Sequence, residues 1–162
     1  MSTFRGMALI GLALAAPLAA QPPKPAALSP AQFDQLMRTA GYVKAGNAWK
    51  GCDGATTVTR QNVEFKDLNG DGRPEALITA DGTECFGMTG AGFQLLRQTA
   101  SGWQVMANET GIATFQTTRG VDGYPDIEIG GPGFCFPIAR WSGSEYKTIR
   151  FAYEGKPCKP PH

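Results

Sequence analysis

From Trp49 onward, glycines and other turn residues divide the sequence into short apolar runs, and this pattern constrains the fold most strongly. The runs are rich in valine, isoleucine, threonine and aromatic residues, which favour strands. Ser101-Gly102 and Ser142-Gly143 stand between such runs and are typical of hairpin turns. The sequence therefore predicts a mainly β fold with strands at Thr56–Thr59, Val63–Lys66, Ala76–Ala80, Phe93–Thr99, Trp103–Asn108, Ile112–Gln116, Ile127–Ile129, Cys135–Trp141 and Tyr146–Ala152.

Only one stretch has helical periodicity, and it precedes the strands. Ser29 is a good N-cap, Pro30 suits the first helical position, and Gln32 can complete a capping box. Gly41 is placed to end the helix in a left-handed conformation. The apolar residues of this stretch recur at the spacing of one helix face, so we expect a helix packed on a sheet through Phe33, Leu36, Met37 and Ala40.

The first twenty residues have the three parts of a signal peptide. Arg5 supplies the positive start, Met7–Ala16 is a short apolar run, and Leu18-Ala19-Ala20 is a small-residue cleavage site. The apolar run is too short to span a bilayer, although a membrane anchor or a cytosolic start is the alternative. We predict cleavage after Ala20, an extended Pro/Ala-rich tether over 21–28, one β-rich domain over 29–162, no transmembrane segment after cleavage, and a periplasmic or secreted location.

Four cysteines lie beyond the predicted signal peptide, and an even number in an exported chain is typical of two disulfides. Sequence alone allows three pairings; we favour Cys52–Cys85 with Cys135–Cys158, because each pair flanks one half of the chain. The one histidine, His162, is the last residue, which argues against a Cys/His zinc site or a histidine-based catalytic pair. With 15 basic and 14 acidic residues, charge gives no reason to expect a nucleic-acid partner.

A weak internal repeat relates the two halves of the β region. The segment Asp71–Ile78 resembles Asp122–Ile129, and each is followed by a Cys-aromatic pair and a strand hairpin. A repeat of this size indicates blade-like units of three or four strands. We predict two blade-like antiparallel repeats, at about 67–108 and about 118–152, plus the N-terminal helix.

The loop that opens the first repeat places oxygen-bearing side chains at alternate positions, Asp67, Asn69 and Asp71, and Glu75 follows. Calcium in proteins takes six to eight oxygen ligands, and a short loop can supply them only if the backbone turns sharply. Gly70 and Gly72 permit such a turn. We predict a structural Ca²⁺ site here; the alternative is a hydrogen-bonded Asx-type turn that binds no ion.

This loop, Asp67-x-Asn69-x-Asp71-Gly72-x-x-Glu75 followed by the strand Ala-Leu-Ile-Thr, resembles the calcium loop of FG-GAP/VCBS-type β-propeller repeats. The resemblance implies side-chain ligation by Asp67, Asn69, Asp71 and Glu75, and ligation by the backbone carbonyl of Arg73. It implies no enzymatic activity. The EF-hand shares only the first half of the pattern, because Ile78 occupies the position of its bidentate glutamate and strand-like segments flank the loop.

The second repeat retains less of this loop. The positions that match Asp67, Asn69, Asp71 and Glu75 are occupied by Thr118, Gly120, Asp122 and Asp126. Two of the four side-chain ligands are absent, so we predict a similar turn there without a tightly bound metal.

The two Gly-rich segments that carry cysteines are candidates for a contact surface. Aromatic residues on rigid loops make good binding anchors, and the segments Gly82–Gly92 and Gly130–Pro137 carry Phe86, Phe134 and Phe136. We therefore expect an exported, calcium-stabilised, non-catalytic module that binds a periplasmic or extracellular protein or polysaccharide. The alternatives are a secreted hydrolase that uses carboxylates, and an assembly module with no ligand beyond calcium.

Overall fold

The computed structural model describes residues 28–160, and three antiparallel β-sheets with few helices confirm the mainly β prediction. The predicted signal peptide at 1–20, residues 21–27 of the predicted tether, and His162 lie outside the described residues. The first sheet has the order β1-β2-β3 and contains β1 (Val43–Ala45), β2 (Ala48–Gly51) and β3 (Thr56–Val58). No helix in the described part of the chain is both long and apolar enough to cross a membrane.

The second and third sheets are antiparallel meanders that follow the chain order. The second contains β4 (Val63–Lys66), β5 (Glu75–Asp81), β6 (Ala91–Thr99) and β7 (Gly102–Thr110). The third contains β8 (Ile112–Arg119), β9 (Pro125–Gly130), β10 (Phe136–Trp141), β11 (Tyr146–Tyr153) and β12 (Lys156–Pro157). Tight turns join β6 to β7 and β10 to β11, as the two Ser-Gly dipeptides predict.

The N-terminal helix α1 spans Pro30–Thr39 and is capped as the sequence predicts. The Ser29 hydroxyl accepts a hydrogen bond from the Gln32 amide at 3.3 Å, and the Gln32 side chain accepts one from the Ser29 amide at 2.8 Å. Gly41, with φ of +85°, ends the helix in the left-handed conformation. The predicted apolar face is buried, so the helix packs on the sheets through Phe33, Leu36, Met37 and Ala40.

Three strands and one helix differ from the sequence prediction. Strands β1 and β12 have only exposed residues, and Trp49 is the one buried residue of β2, so none of the three shows an alternating burial pattern. The Gly82–Gly92 segment, predicted as a loop, contains the one-turn helix α2 (Thr83–Phe86) and a 3₁₀ turn at Gly87–Thr89. A single turn is too short to show a 3.6-residue period. Further 3₁₀ turns lie at Cys52–Gly54, Arg60–Asn62 and Val121–Gly123.

The second sheet lies between two apolar cores. Ala76, Ile78 and Leu96 face the first core together with α1 and the first sheet. Phe93 and Leu95 face the second core, where they meet side chains of the third sheet such as Ile127, Ile129, Ala139 and Trp141. Consecutive residues face opposite cores because side chains alternate along a strand.

Two disulfides are present, and the pairing favoured from the sequence is confirmed. Cys52–Cys85 joins the end of the first sheet to α2, with Cα atoms 6.0 Å apart. Cys135–Cys158 joins the segment before β10 to the segment after β12, with Cα atoms 5.8 Å apart. Two disulfides fit an oxidising compartment outside the cytoplasm.

Candidate functional site

The loop between β4 and β5 is folded around the carboxylate of its first residue. Asp67 Oδ1 accepts hydrogen bonds from the Gly70 amide at 2.7 Å and the Asp71 amide at 3.2 Å, and Oδ2 accepts one from the Gly72 amide at 2.9 Å. Gly70 and Gly72 have φ of +83° and +84°, which L-residues with a Cβ rarely adopt. The two glycines therefore allow the chain to turn about Asp67.

The next two oxygen-bearing residues are held on the same loop. The Asn69 side-chain oxygen accepts a hydrogen bond from the Asp71 amide at 3.2 Å, and Asp71 Oδ1 accepts one from the Arg73 amide at 2.8 Å. Partial burial by itself would raise the pKa of Asp71, but the hydrogen bonds from Arg73 and Asn69, with the Arg73 charge, lower that pKa overall. Asp71 is thus an exposed carboxylate that stays ionised at neutral pH.

Glu75 points into the protein interior beneath the loop. Its side chain is only 2% exposed, its Oε2 accepts a hydrogen bond from the Leu68 amide at 2.9 Å, and its Oε1 accepts one from the Tyr124 hydroxyl at 3.0 Å. Burial raises the pKa of Glu75, and the two hydrogen bonds partly oppose that rise. The pair also affects the tyrosine: burial and the nearby charge of Glu75 raise the pKa of Tyr124 to about 12.

These contacts decide how well the predicted ligand set fits a cation. Within residues 28–160, no three metal-ligating His, Cys, Asp or Glu side chains come together around one point. Asp67, Asn69 and Asp71 share the loop with the Arg73 backbone, so four of the predicted ligand residues lie on one short segment. Glu75 could join them only by giving up its bonds to Leu68 and Tyr124. The calcium site thus stays a prediction. Ligation by Glu75 would cost the free energy of its two hydrogen bonds.

The matching carboxylate of the second repeat is neutralised by arginine. Asp126 is fully buried; Arg140 donates from Nε to Oδ1 and from Nη2 to Oδ2, both at 2.8 Å. The Thr118 hydroxyl also donates to Asp126, and Arg150 Nη1 lies 3.5 Å from Oδ2. Hydrogen bonds from Arg140 lower the pKa of Asp126 despite its burial. A guanidinium fork thus supplies the positive charge beneath the second loop, whereas Glu75 has only neutral donors.

The two loops face one another across the junction of the second and third sheets. Arg119 Nη1 donates to the Leu68 carbonyl at 2.9 Å and also to the Gly123 carbonyl, so one side chain ties both loops. Between them lies an open cleft of about 390 Å³, lined by Asn69, Asp71, Arg73, Arg97, Gln98, Asp122 and Tyr124. Sequence reasoning missed Tyr124 and Arg140, because their partners are brought to them only by sheet packing.

The three predicted contact aromatics differ in exposure. Phe86 is half-buried and packs over Gly92, where an added Cβ would lie 2.2 Å from the ring. Phe134 is 75% exposed, and its ring centroid lies 5.6 Å from that of Tyr153. Phe136 is half-buried, and its ring centroid lies 6.1 Å from that of Tyr153. Phe134 is therefore the aromatic of this set that is free to contact a partner.

Two more exposed apolar residues lie at the same end of the sheets. Met88 is 94% exposed and Ile112 is 61% exposed. Ile112 pairs with Gly130 in the β8–β9 ladder, and a Cβ at Gly131 would lie 3.6 Å from Thr89, the neighbour of Met88. The two Gly-rich segments thus meet. We call Met88, Ile112, Phe134, Phe136 and Tyr153 together the end surface.

Comparisons with protein-family models, with curated proteins and with solved structures found no match to this chain.

Proposed function

We propose that this chain is an exported, non-catalytic binding module that is stabilised by a structural Ca²⁺ ion. It binds a protein or a polysaccharide in the periplasm or outside the cell. The observation that carries this proposal is the end surface. A side chain as apolar as Phe134 costs free energy in water when it is 75% exposed, and clustered exposed apolar residues mark interaction sites.

The end surface is held in place, which favours binding over chance exposure. Cys135 lies between Phe134 and Phe136, and its disulfide ties them to the segment after β12. Tyr153 contacts both rings edge-on or tilted, an arrangement that stabilises aromatic pairs. A rigid surface loses less conformational entropy on binding than a flexible one. Phe134 and its neighbours are therefore preorganised for a partner.

Calcium would act in this proposal by neutralising charge in the loop at 67–75. Asp67, Asn69 and Asp71 would bind the ion by side-chain oxygens and Arg73 by its carbonyl, while Glu75 would complete the set after giving up its bonds to Leu68 and Tyr124. Such an ion joins the ends of β4 and β5 and stabilises the folded chain by mass action. We assign the ion a structural role only: it would hold the turn in which Asp67 and Asp71 accept hydrogen bonds from backbone amides.

A pull-down from periplasmic extract and a purified polysaccharide array test the binding claim with two matched variants. Phe134→Ser removes the main apolar side chain of the end surface. Val43→Ser removes an equally exposed apolar side chain, 70% exposed, from the first sheet. We expect Phe134→Ser to abolish capture and Val43→Ser to leave it intact. Equal capture by both variants, or no capture by the parent protein, would show the proposal to be wrong.

A further inference from the structure

A pocket of about 280 Å³ opens at the end of α1, on the face of the second sheet that packs against α1 and the first sheet. Four parts of the fold converge there: the residues that follow α1, the β2–β3 region of the first sheet, helix α2, and strands β6 and β7. The described residues that line it are Ala40, Gly41, Tyr42, Gly51, Cys52, Thr56, Phe86, Gly92, Phe93, Gln94 and Asn108. The pocket is roughly large enough for one sugar ring and lies at the small end of ligand sites in proteins.

Two aromatic rings lie directly on glycine backbone at this pocket. A Cβ at Gly51 would lie 2.6 Å from Tyr42 Cε1, and a Cβ at Gly92 would lie 2.2 Å from Phe86 Cε1. Both rings could occupy these positions only where the residue beneath them has no side chain. Phe86 also follows Cys85, which is fixed by its disulfide to Cys52. Tyr42 and Phe86 therefore supply two fixed aromatic rings to a pocket whose lining is otherwise largely polar.

Two amide side chains line the same space. Gln94 and Asn108 are directly opposite in the β6–β7 ladder, so their side chains are neighbours on one face of the sheet. Gln94 Nε2 donates to the Ala40 carbonyl at 3.0 Å, which orients the amide, while its buried Oε1 has no hydrogen-bond partner among the described residues. Tyr42 also lines this pocket, and burial raises the pKa of its hydroxyl.

An unsatisfied buried acceptor costs about 1–3 kcal/mol, so a hydroxyl donor beside Gln94 would be favourable. Because Oε1 is covered, a ligand would reach it only if the side chains around it moved. Asn108 is exposed and can both donate and accept. The two amides and the Tyr42 hydroxyl thus offer a paired set of donors and acceptors to a ligand rich in hydroxyl groups.

Charge narrows the ligand class further. None of the described lining residues is an acid or a base that is ionised at neutral pH. A charged ligand would lose hydration in the pocket without gaining an opposite charge. A ligand with hydroxyl groups on its edge and an apolar C–H face matches amide edges beside aromatic walls.

We propose that this pocket binds one neutral sugar unit, held by Tyr42, Gln94 and Asn108 against the ring of Phe86. The inference rests on the proposed binding function and specifies a ligand class for it, at a site separate from Phe134 and the end surface. A sugar in this place would bridge the end of α1 and strands β6 and β7.

Titrations of the mature protein, followed by ¹⁵N chemical shifts, test this proposal with methyl α-glucoside, methyl α-galactoside and N-acetylglucosamine as neutral probes. Glucuronate is the charged probe. Tyr42→Phe removes one hydroxyl and keeps the ring, and Asn108→Ala removes an exposed amide, so both variants should fold. Gln61→Ala, an exposed amide in a 3₁₀ turn, is the matched control.

We expect at least one neutral sugar to give saturable shifts at Gln94 and Asn108. Asn108→Ala and Tyr42→Phe should each weaken its binding about tenfold, the effect of one lost hydrogen bond to a neutral group, while Gln61→Ala has no effect. The inference is overturned if no neutral probe shifts these signals, if glucuronate binds as tightly, or if the two variants bind like the parent. If no sugar binds but capture still depends on Phe134, this inference is wrong and the proposed function stands. If a sugar binds but there is no Phe134-dependent capture, the pocket inference stands and the role proposed for the end surface is wrong.

Discussion

At the scale of single residues, two buried carboxylates in matching positions of the two repeats are stabilised in opposite ways. Asp126 is bound by a guanidinium fork from Arg140, so its charged form is favoured. Glu75 is bound by an amide and a hydroxyl, and burial favours its neutral form. The two groups should therefore change the stability of the protein in opposite directions as the pH rises.

Arg140→Met tests the first carboxylate. Because the folded-state pKa of Asp126 is lowered, its stabilisation is present above its ordinary pKa of 3.8 and is lost as the pH falls through the lowered value. The variant leaves a buried carboxylate without its main partner, so we expect a lower urea midpoint at pH 7. That deficit should shrink toward pH 3 as the carboxylate is protonated. Arg150→Met, which removes the more distant guanidinium at 3.5 Å, should have a smaller effect.

Tyr124→Phe tests the second carboxylate, in the presence of a calcium chelator. A folded-state pKa above the unfolded value means that stability is fully present at low pH and is lost as the pH rises through the folded pKa. Removing the hydroxyl leaves Glu75 Oε1 without a donor, and we expect a loss of about 1–3 kcal/mol at pH 8 that becomes smaller at pH 4. Tyr146→Phe removes a buried hydroxyl that donates to the uncharged Pro125 carbonyl at 2.9 Å. Its loss should not change with pH, and equal pH profiles of the two variants would contradict this account of Glu75.

At the scale of elements, the loop at 67–75 and its counterpart at 118–126 have similar positions but different partners for the buried carboxylate. Glu75 has neutral donors and Asp126 has an arginine. Each precedes an inner strand, β5 or β9, that is paired on both sides. Asp122 takes a left-handed conformation with φ of +55°, which aspartate and asparagine tolerate better than most residues. The blade-like relation between the two sheets stays a prediction that these shared features support.

Calcium titration separates the two loops. We expect Ca²⁺ to raise the melting temperature of the parent protein from which calcium has been removed with a chelator. At a Ca²⁺ concentration one hundred times the Kd, the gain in the free energy of unfolding should be about 2.7 kcal/mol. Asp71→Asn should weaken calcium binding by at least about tenfold, because it removes a charged ligand. Asp122→Asn, the same substitution at the matching position of the second loop, should leave binding unchanged. If calorimetry of the parent protein shows no heat of Ca²⁺ binding and its melting temperature does not change, the calcium proposal is contradicted.

At the scale of the whole molecule, the second sheet shares one core with α1 and the first sheet and another with the third sheet. The chain passes from the second to the third sheet at Gly111, between β7 and β8. Gly111 has φ of +140°, and a Cβ there would lie 2.6 Å from the Gly130 carbonyl oxygen. The connection between the two sheets therefore lies so close to β9 that this position requires glycine.

Gly111→Ala should lower the free energy of unfolding by about 2–4 kcal/mol, because it adds both backbone strain and a clash with backbone. Gly131→Ala is the control, since a Cβ there would make an ordinary contact of 3.6 Å with Thr89. We expect that control to change stability by less than about 1 kcal/mol. Urea denaturation of both variants gives the comparison, and similar stabilities would show that the Gly111 approach is less tight than described.

The sequence by itself determined the features that depend on neighbours along the chain. The caps of α1, the paired strands with their turns, and the folding of the loop around Asp67 all involve residues a few positions apart, so local pattern specifies them. The short strands β1, β2 and β12 were not predicted, because segments of two to four residues show too little of an alternating burial pattern. Disulfide pairing was favoured from position in the chain and was decided by the fold.

Tertiary structure alone decided what surrounds the buried carboxylates and the ligand-sized pocket. Tyr124 lies 49 residues from Glu75, and Gln94 lies 54 residues from Ala40. No local pattern predicts such pairs, because their contact depends on how whole sheets pack. For the same reason the sequence could place Glu75 on the calcium loop, while only packing beneath that loop turned its carboxylate inward toward Tyr124.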